Sequence, residues 1–119
     1  MDYNEQDWKL FRSRLPDWQE AFMDRLNREY LEILQRDGAA SDKFWALHDR
    51  VLHDCRNVGV CAEMKRSLLY RNLVVLLLEG AITPEDLDGF SVELKEQVAA
   101  AGKQPSDETQ EKPAEEALL

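Results

Sequence analysis

The chain has 119 residues, 24 acids against 15 bases for a net charge of −9, and two cysteines. That length suits one domain. The acidic balance disfavours general nucleic-acid binding, which rests on phosphate contacts, and two cysteines make no disulfide framework.

The N-terminus "MDYNEQDWKLF" lacks a basic start followed by an apolar run, so it does not read as a signal peptide. Residues 4 to 14 suit a short first helix carrying Trp8, Leu10 and Phe11. Proline favours the first position of a helix over its interior. A second helix is therefore expected from Pro16 to Arg36, with Trp18, Phe22, Leu26, Tyr30 and Ile33 recurring at three- and four-residue steps. Gly38 is a natural stop.

Ser41 is placed to cap a third helix running to about Arg56, with Asp42 in its first turn. This helix contains "HDRVLHDC", two histidines, two aspartates and a cysteine in eight positions. At about 100° per residue, Phe44, Trp45, His48, Val51, Leu52 and Cys55 share one side, which predicts a buried stripe. His53 points away from it with Asp49 and Asp42. A five-residue step between histidines does not match the four-residue step of zinc-binding helices, and there is no third histidine. The same shortage of ligands excludes a metal-dependent phosphohydrolase built on the "HD" doublet. No metal ligand is assigned. Cys55 and Cys61 are expected to be buried reduced thiols.

"NVGV" suits a tight connection to a fourth helix over residues 60 to 79. Its second half, "LVVLLL", is the longest fully apolar run, far below the roughly 20 residues of a membrane span. A helix apolar all round is surrounded by others, so this one is expected at the centre. In "EGAITPEDL", Gly80 ends that helix, Thr83 caps the next, Pro84 takes its first position, Asp86 completes the capping box, and Ile82 with Leu87 forms a hydrophobic staple. A fifth helix buries Leu87, Phe90, Leu94 and Val98, with Gly89 weakening it near Ser91. From Gly102 apolar residues nearly vanish, which predicts a disordered tail over 102–119 following a single domain over 1–101. The tail's five acids and two bases carry −3 of the −9, leaving −6 on the body.

The expected fold is thus all-α: a compact bundle of four to five helices around a buried central helix. No nucleophile with a base, phosphate-cradling loop or cofactor-binding residue stands out, and the chain does not read as an enzyme. The candidate interaction surface is the basic stretch "AEMKRSLLYRN", with Glu63, Arg66 and Tyr70 on one helical face and Lys65 and Arg71 beside them. The expected partner is another protein, and the expected setting is soluble and cytoplasmic. An alternative treats "CRNVGVCAEMKRSLL" as a helix-turn-helix-like DNA-binding element, against the overall charge. Another treats the acidic chain as an inhibitor of a basic nucleic-acid enzyme surface.

"WALHDR", "GVCAEMKRSL" and "EGAITPEDLDGFSVELKE" together resemble a group of small all-helical bacterial proteins over residues 20 to 97. The resemblance implies a helical fold. It carries no established activity, so no residue inherits a role. The "multidrug transporter" label sometimes given to such proteins conflicts with the absence of an apolar span here. The "G-x-I-T-x-E-D" piece is also similar to a short helical hairpin of some oligomerisation modules, a local likeness that helix-stop and helix-start chemistry alone produces.

Overall fold

The computed structural model describes residues 4–111, with side chains described as far as 102. The described residues form four α-helices and two short 3₁₀ turns, with no strand among them. The first helix, α1, runs unbroken over Glu5–Gln35, where two helices are expected. Its start is set by Asn4, whose side chain accepts the Gln6 N–H at 2.8 Å. Pro16 lies inside it. A proline there removes one backbone hydrogen bond and costs about 3 kcal/mol. The site is exposed, so water reaches the freed carbonyl. Burial on both sides offsets the rest: Trp8, Phe11, Leu15, Phe22, Leu26 and Ile33 form one continuous stripe across the proline.

The second helix, α2, spans Ala40–Asp54. Ala39 precedes it without a side-chain cap, so Ser41 lies within the helix rather than capping it. Turns carry the chain to Val58 and Gly59, whose N–H groups donate to the Glu79 carboxylate at 2.9 and 3.0 Å. Gln19 holds the Val58 carbonyl from the α1 side at 3.0 Å.

The expected helix from residue 60 is corrected here: residues 61–65 are not helical. A 3₁₀ turn follows at Arg66–Leu68, and the third helix, α3, spans only Leu69–Glu79. The reason is distance. Gly59 is tied to the last residue of α3, so the chain must run back along α3 before entering it. An 11-residue helix is about 16 Å long, and five extended residues cover about that distance, whereas a helix over 61–65 covers about half of it. Asn72 fastens this run, its amide donating to the Glu63 carbonyl at 3.1 Å. The Asn72 Oδ1 is buried without a hydrogen-bond partner.

Gly80 ends α3 in the left-handed conformation at φ 79°, with Ala81 N–H donating back to the Leu76 carbonyl at 2.9 Å. The Thr83–Asp86 box forms as expected: the Asp86 carboxylate accepts the Thr83 N–H at 2.8 Å. It caps the second 3₁₀ turn, Pro84–Leu87, rather than a long helix. Gly89, at φ 96°, breaks the chain where the sequence is weakest. The fourth helix, α4, starts at Val92. Ser91 precedes it, and its Oγ accepts the Leu94 N–H at 3.3 Å. Both the Ser91 N–H and its hydroxyl donate to the buried Asp7 carboxylate, at 2.9 and 2.7 Å.

The core joins Trp8, Phe11 and Leu15 of α1, Leu69, Leu73 and Leu76 of α3, Ile82, Leu87, Phe90, and Leu94 with Val98 of α4. On the other side of α3, Arg71 and Leu78 are exposed. The last helix continues to Glu111, beyond the point where a disordered tail is expected to begin. At Gly102 its backbone still lies against Leu77, where an added Cβ would meet Leu77 Cδ2 at 2.7 Å. The rest of the expected tail, 112–119, lies outside the described residues.

Candidate functional site

The surface expected from Glu63, Arg66 and Tyr70 requires one helix through all three, and that helix is absent. Glu63 pairs with Lys65 at 3.0 Å, both well exposed. Arg66 lies 5.8 Å from the Trp8 ring centroid, with its guanidinium 3.3 Å from Glu5. Tyr70 is half-buried against the core, and Arg71 is exposed. Arg66 and Tyr70 do border one cleft. With Asp7, Ser67, Ser91 and Glu93 they line a cleft of about 270 Å³ where α1, α3 and α4 begin. Both oxygens of Asp7 there are already engaged by Ser91. The helix that a DNA-reading motif needs over 61–71 begins as an α-helix only at Leu69.

The larger surface feature is one the sequence places in the core. The expected buried stripe of α2 is exposed: Phe44 is 61% exposed, Trp45 57%, Leu52 53% and Val51 38%. His48 and Cys55 are exposed with them, and Cys61, also expected inside, is exposed too. Asp54 is the buried residue of α2. The half-buried Lys43, Leu47 and Arg50 lie on Asp54's side. On a helical wheel the apolar stripe is centred about 120° from that side.

A polar cluster selects this orientation. Tyr30 of α1 donates its hydroxyl to Asp54 at 2.7 Å. Arg50 reaches Glu29 at 2.6 Å and Asp54 at 3.3 Å, and its guanidinium lies 5.6 Å from the Tyr30 ring centroid. Burial, and then the hydrogen bond to the Asp54 carboxylate, push the Tyr30 hydroxyl up to about 12. Burial alone would raise Asp54. The hydrogen bonds from Tyr30 and His53 and the charge of Arg50 outweigh it and hold Asp54 below the ordinary 3.8. Above all its bond to Glu29 raises Arg50 beyond its ordinary range, against the opposing effect of burial. The signal for this was in the sequence: Glu29 and Tyr30 on one helix, Arg50 and Asp54 at i,i+4 on the next.

The outward face is ordered as an aromatic ladder. Phe44 and Trp45 meet edge to face with centroids 4.9 Å apart, and Trp45 and His48 do so at 5.2 Å. At the other end of the stripe, Val51 and Cys55 form one wall of a mostly apolar cleft of about 200 Å³, whose lining also includes Met23, Leu26 and Val60 and the polar Asn27, Tyr30 and Asp54. His48 stands 3.3 Å from Asp49, and His53 stands 3.2 Å from Asp54. Among the described residues, no three histidine, cysteine or carboxylate side chains converge as a metal site, and no helix is long and apolar enough to cross a membrane. No family model, no curated protein and no solved structure matches the chain.

Proposed function

We propose that the protein is a small cytoplasmic adaptor or regulator that works by protein association, built as a bundle centred on α3. The outward apolar face of α2 carries this reading. Contiguous apolar surface rimmed by charge marks interaction sites on folded proteins, and aromatic side chains next to a pocket are the usual energetic centres of interfaces. The Arg66–Tyr70 cleft is a second docking surface. Arg66 touches the first turn of α1, whereas α2 is anchored at Glu29 and Tyr30. About 24 helical residues separate these points, or roughly 36 Å, so the two surfaces can be occupied together.

The test is capture with tagged protein against three baits: wild type, Trp45→Asp, and Arg66→Ala with Tyr70→Ala. The Trp45 change is expected to remove the retained proteins while far-UV circular dichroism stays unchanged. Retention unaffected by either bait change would overturn the reading.

A further inference from the structure

We infer that the occupant of the α2 face is a second copy of this chain, docked antiparallel about His48. This rests on the reading of α2 as a docking face. The first argument is shape. The stripe carries its two projecting aromatic side chains, Phe44 and Trp45, towards one end and the mostly apolar cleft beside Val51 and Cys55 towards the other. Six residues, about 9 Å of helix, separate Trp45 from Val51. Two α2 helices laid antiparallel with their His48 residues opposed meet edge to like edge, which brings Phe44 of each copy beside Val51 of the other, at the mouth of its cleft. The same register sets Trp45 beside Leu52 and Ser41 opposite Cys55. Knob meets hole twice, as a two-fold interface requires.

The second argument is area. At 150–250 Å² for a whole aromatic side chain, the exposed fractions of Phe44, Trp45, Val51 and Leu52 leave about 400 Å² of apolar surface per copy. Interfaces are about 60% apolar, so a contact that covered this face completely would bury up to about 1,300 Å² from both copies together. That falls within the range of specific, stable interfaces, about 1,200–2,000 Å². Charge favours protein over lipid here. Lys43 and Arg50 on α2 are balanced by Asp42, Asp49 and Asp54, whereas helices that lie on membranes carry a strongly basic polar face.

Sedimentation of the purified full chain across a micromolar concentration series tests this. A monomer–dimer equilibrium is expected, weakened about 30-fold or more by Trp45→Ala, the usual scale for a central aromatic anchor. Val92→Ala, on an equally exposed residue of α4, is expected to leave it unchanged. Adding Ser41→Cys should allow a short bismaleimide to join position 41 of one copy to Cys55 of the other. A monomer at every concentration overturns the inference. So do a dimer indifferent to Trp45→Ala, the absence of the 41–55 link, and a monomer that binds neutral lipid vesicles. A monomer whose capture of a different protein still depends on Trp45 overturns only the second-copy assignment and leaves the adaptor reading standing. Loss of both behaviours removes both.

Discussion

Gly59→Ala separates close packing from backbone preference. Gly59 is buried, and its N–H donates to Glu79. Its φ is not in the left-handed region, so an alanine meets no backbone strain there. In open space such a change stabilises by about 0.4–1 kcal/mol by restricting the unfolded chain. Here the added Cβ would stand 2.8 Å from Phe22 Cγ and 2.9 Å from Cε2. Phe22 is itself buried, and Arg25 lies over its ring at 4.9 Å from the centroid, so the ring has little room to retreat. Overpacking of this kind costs about 1–3 kcal/mol. The net expectation is a loss of about 1–2 kcal/mol, or a melting temperature lower by roughly 5–10 °C in a domain of this size. Urea unfolding followed by circular dichroism measures it. In a Phe22→Leu background the same Gly59→Ala change is expected to be neutral or mildly stabilising, giving a coupling of about 1 kcal/mol or more. A Gly59→Ala protein as stable as wild type, with no coupling to Phe22, would refute the argument from close approach.

Tyr30→Phe is expected to cost about 1–2 kcal/mol near neutral pH, since the bond it removes ends on a charged carboxylate. Because Asp54 is held low, its contribution is present above 3.8 and is lost as pH falls through its folded value; because Tyr30 is held high, its contribution is present below 10.0 and is lost as pH rises through about 12. Urea titrations of both proteins should therefore differ most between these limits and converge outside them, and a difference independent of pH counts against the assignment. Asp7→Ala removes both bonds, leaves the half-buried Ser91 N–H without its acceptor and is expected to cost about 2–3 kcal/mol, more than Ser91→Ala, which loses the hydroxyl's bond but keeps the N–H bond to the carboxylate; equal or reversed costs would show that the link does not hold α4 to α1. Arg14→Ala removes donors to the carbonyls of Asp86 and Asp88 and a cation resting 5.6 Å from the Phe90 ring centroid. Amide exchange over residues 86 to 90 should accelerate while that of α3 stays slow, and unchanged exchange there would remove Arg14 as the clasp of this segment.

What the sequence announced best were features decided within a few residues. The Gly80 stop, the Thr83–Asp86 box and the break beside Gly89 all depend on local backbone chemistry, and each forms where expected. Misplaced features were decided by distant partners. Pro16 looked like a helix start because its missing N–H costs nothing there, but burial on either side of it is worth more than one lost hydrogen bond. Residues 61–65 have helical composition, yet Glu79, 20 residues away from Gly59, fixes where the preceding turn ends and forces an extended return. The grouping of Glu63 with Arg66 and Tyr70 on one helical face does not form, while Arg66, in the turn before α3, and Tyr70, in its first turn, border one cleft.

The α2 face shows a different limit. Periodicity located the stripe within its helix correctly, since Phe44, Trp45, His48, Val51, Leu52 and Cys55 do share one side. What periodicity does not contain is the identity of the covering surface. A helix has two candidate inward faces when one side is apolar and another holds charges with exact partners on the neighbouring helix. Turning the stripe onto α1 would bury it but carry Asp54 and Arg50 out to water and cover the Tyr30 hydroxyl with apolar side chains, and a buried polar group left without its partner costs about 1–3 kcal/mol. Turning it outward keeps those bonds and leaves about 400 Å² of apolar surface facing water. Both needs are met at once when a second surface arrives from outside the chain. The arrangement that is unfavourable for an isolated helix is the one that the proposed association would complete.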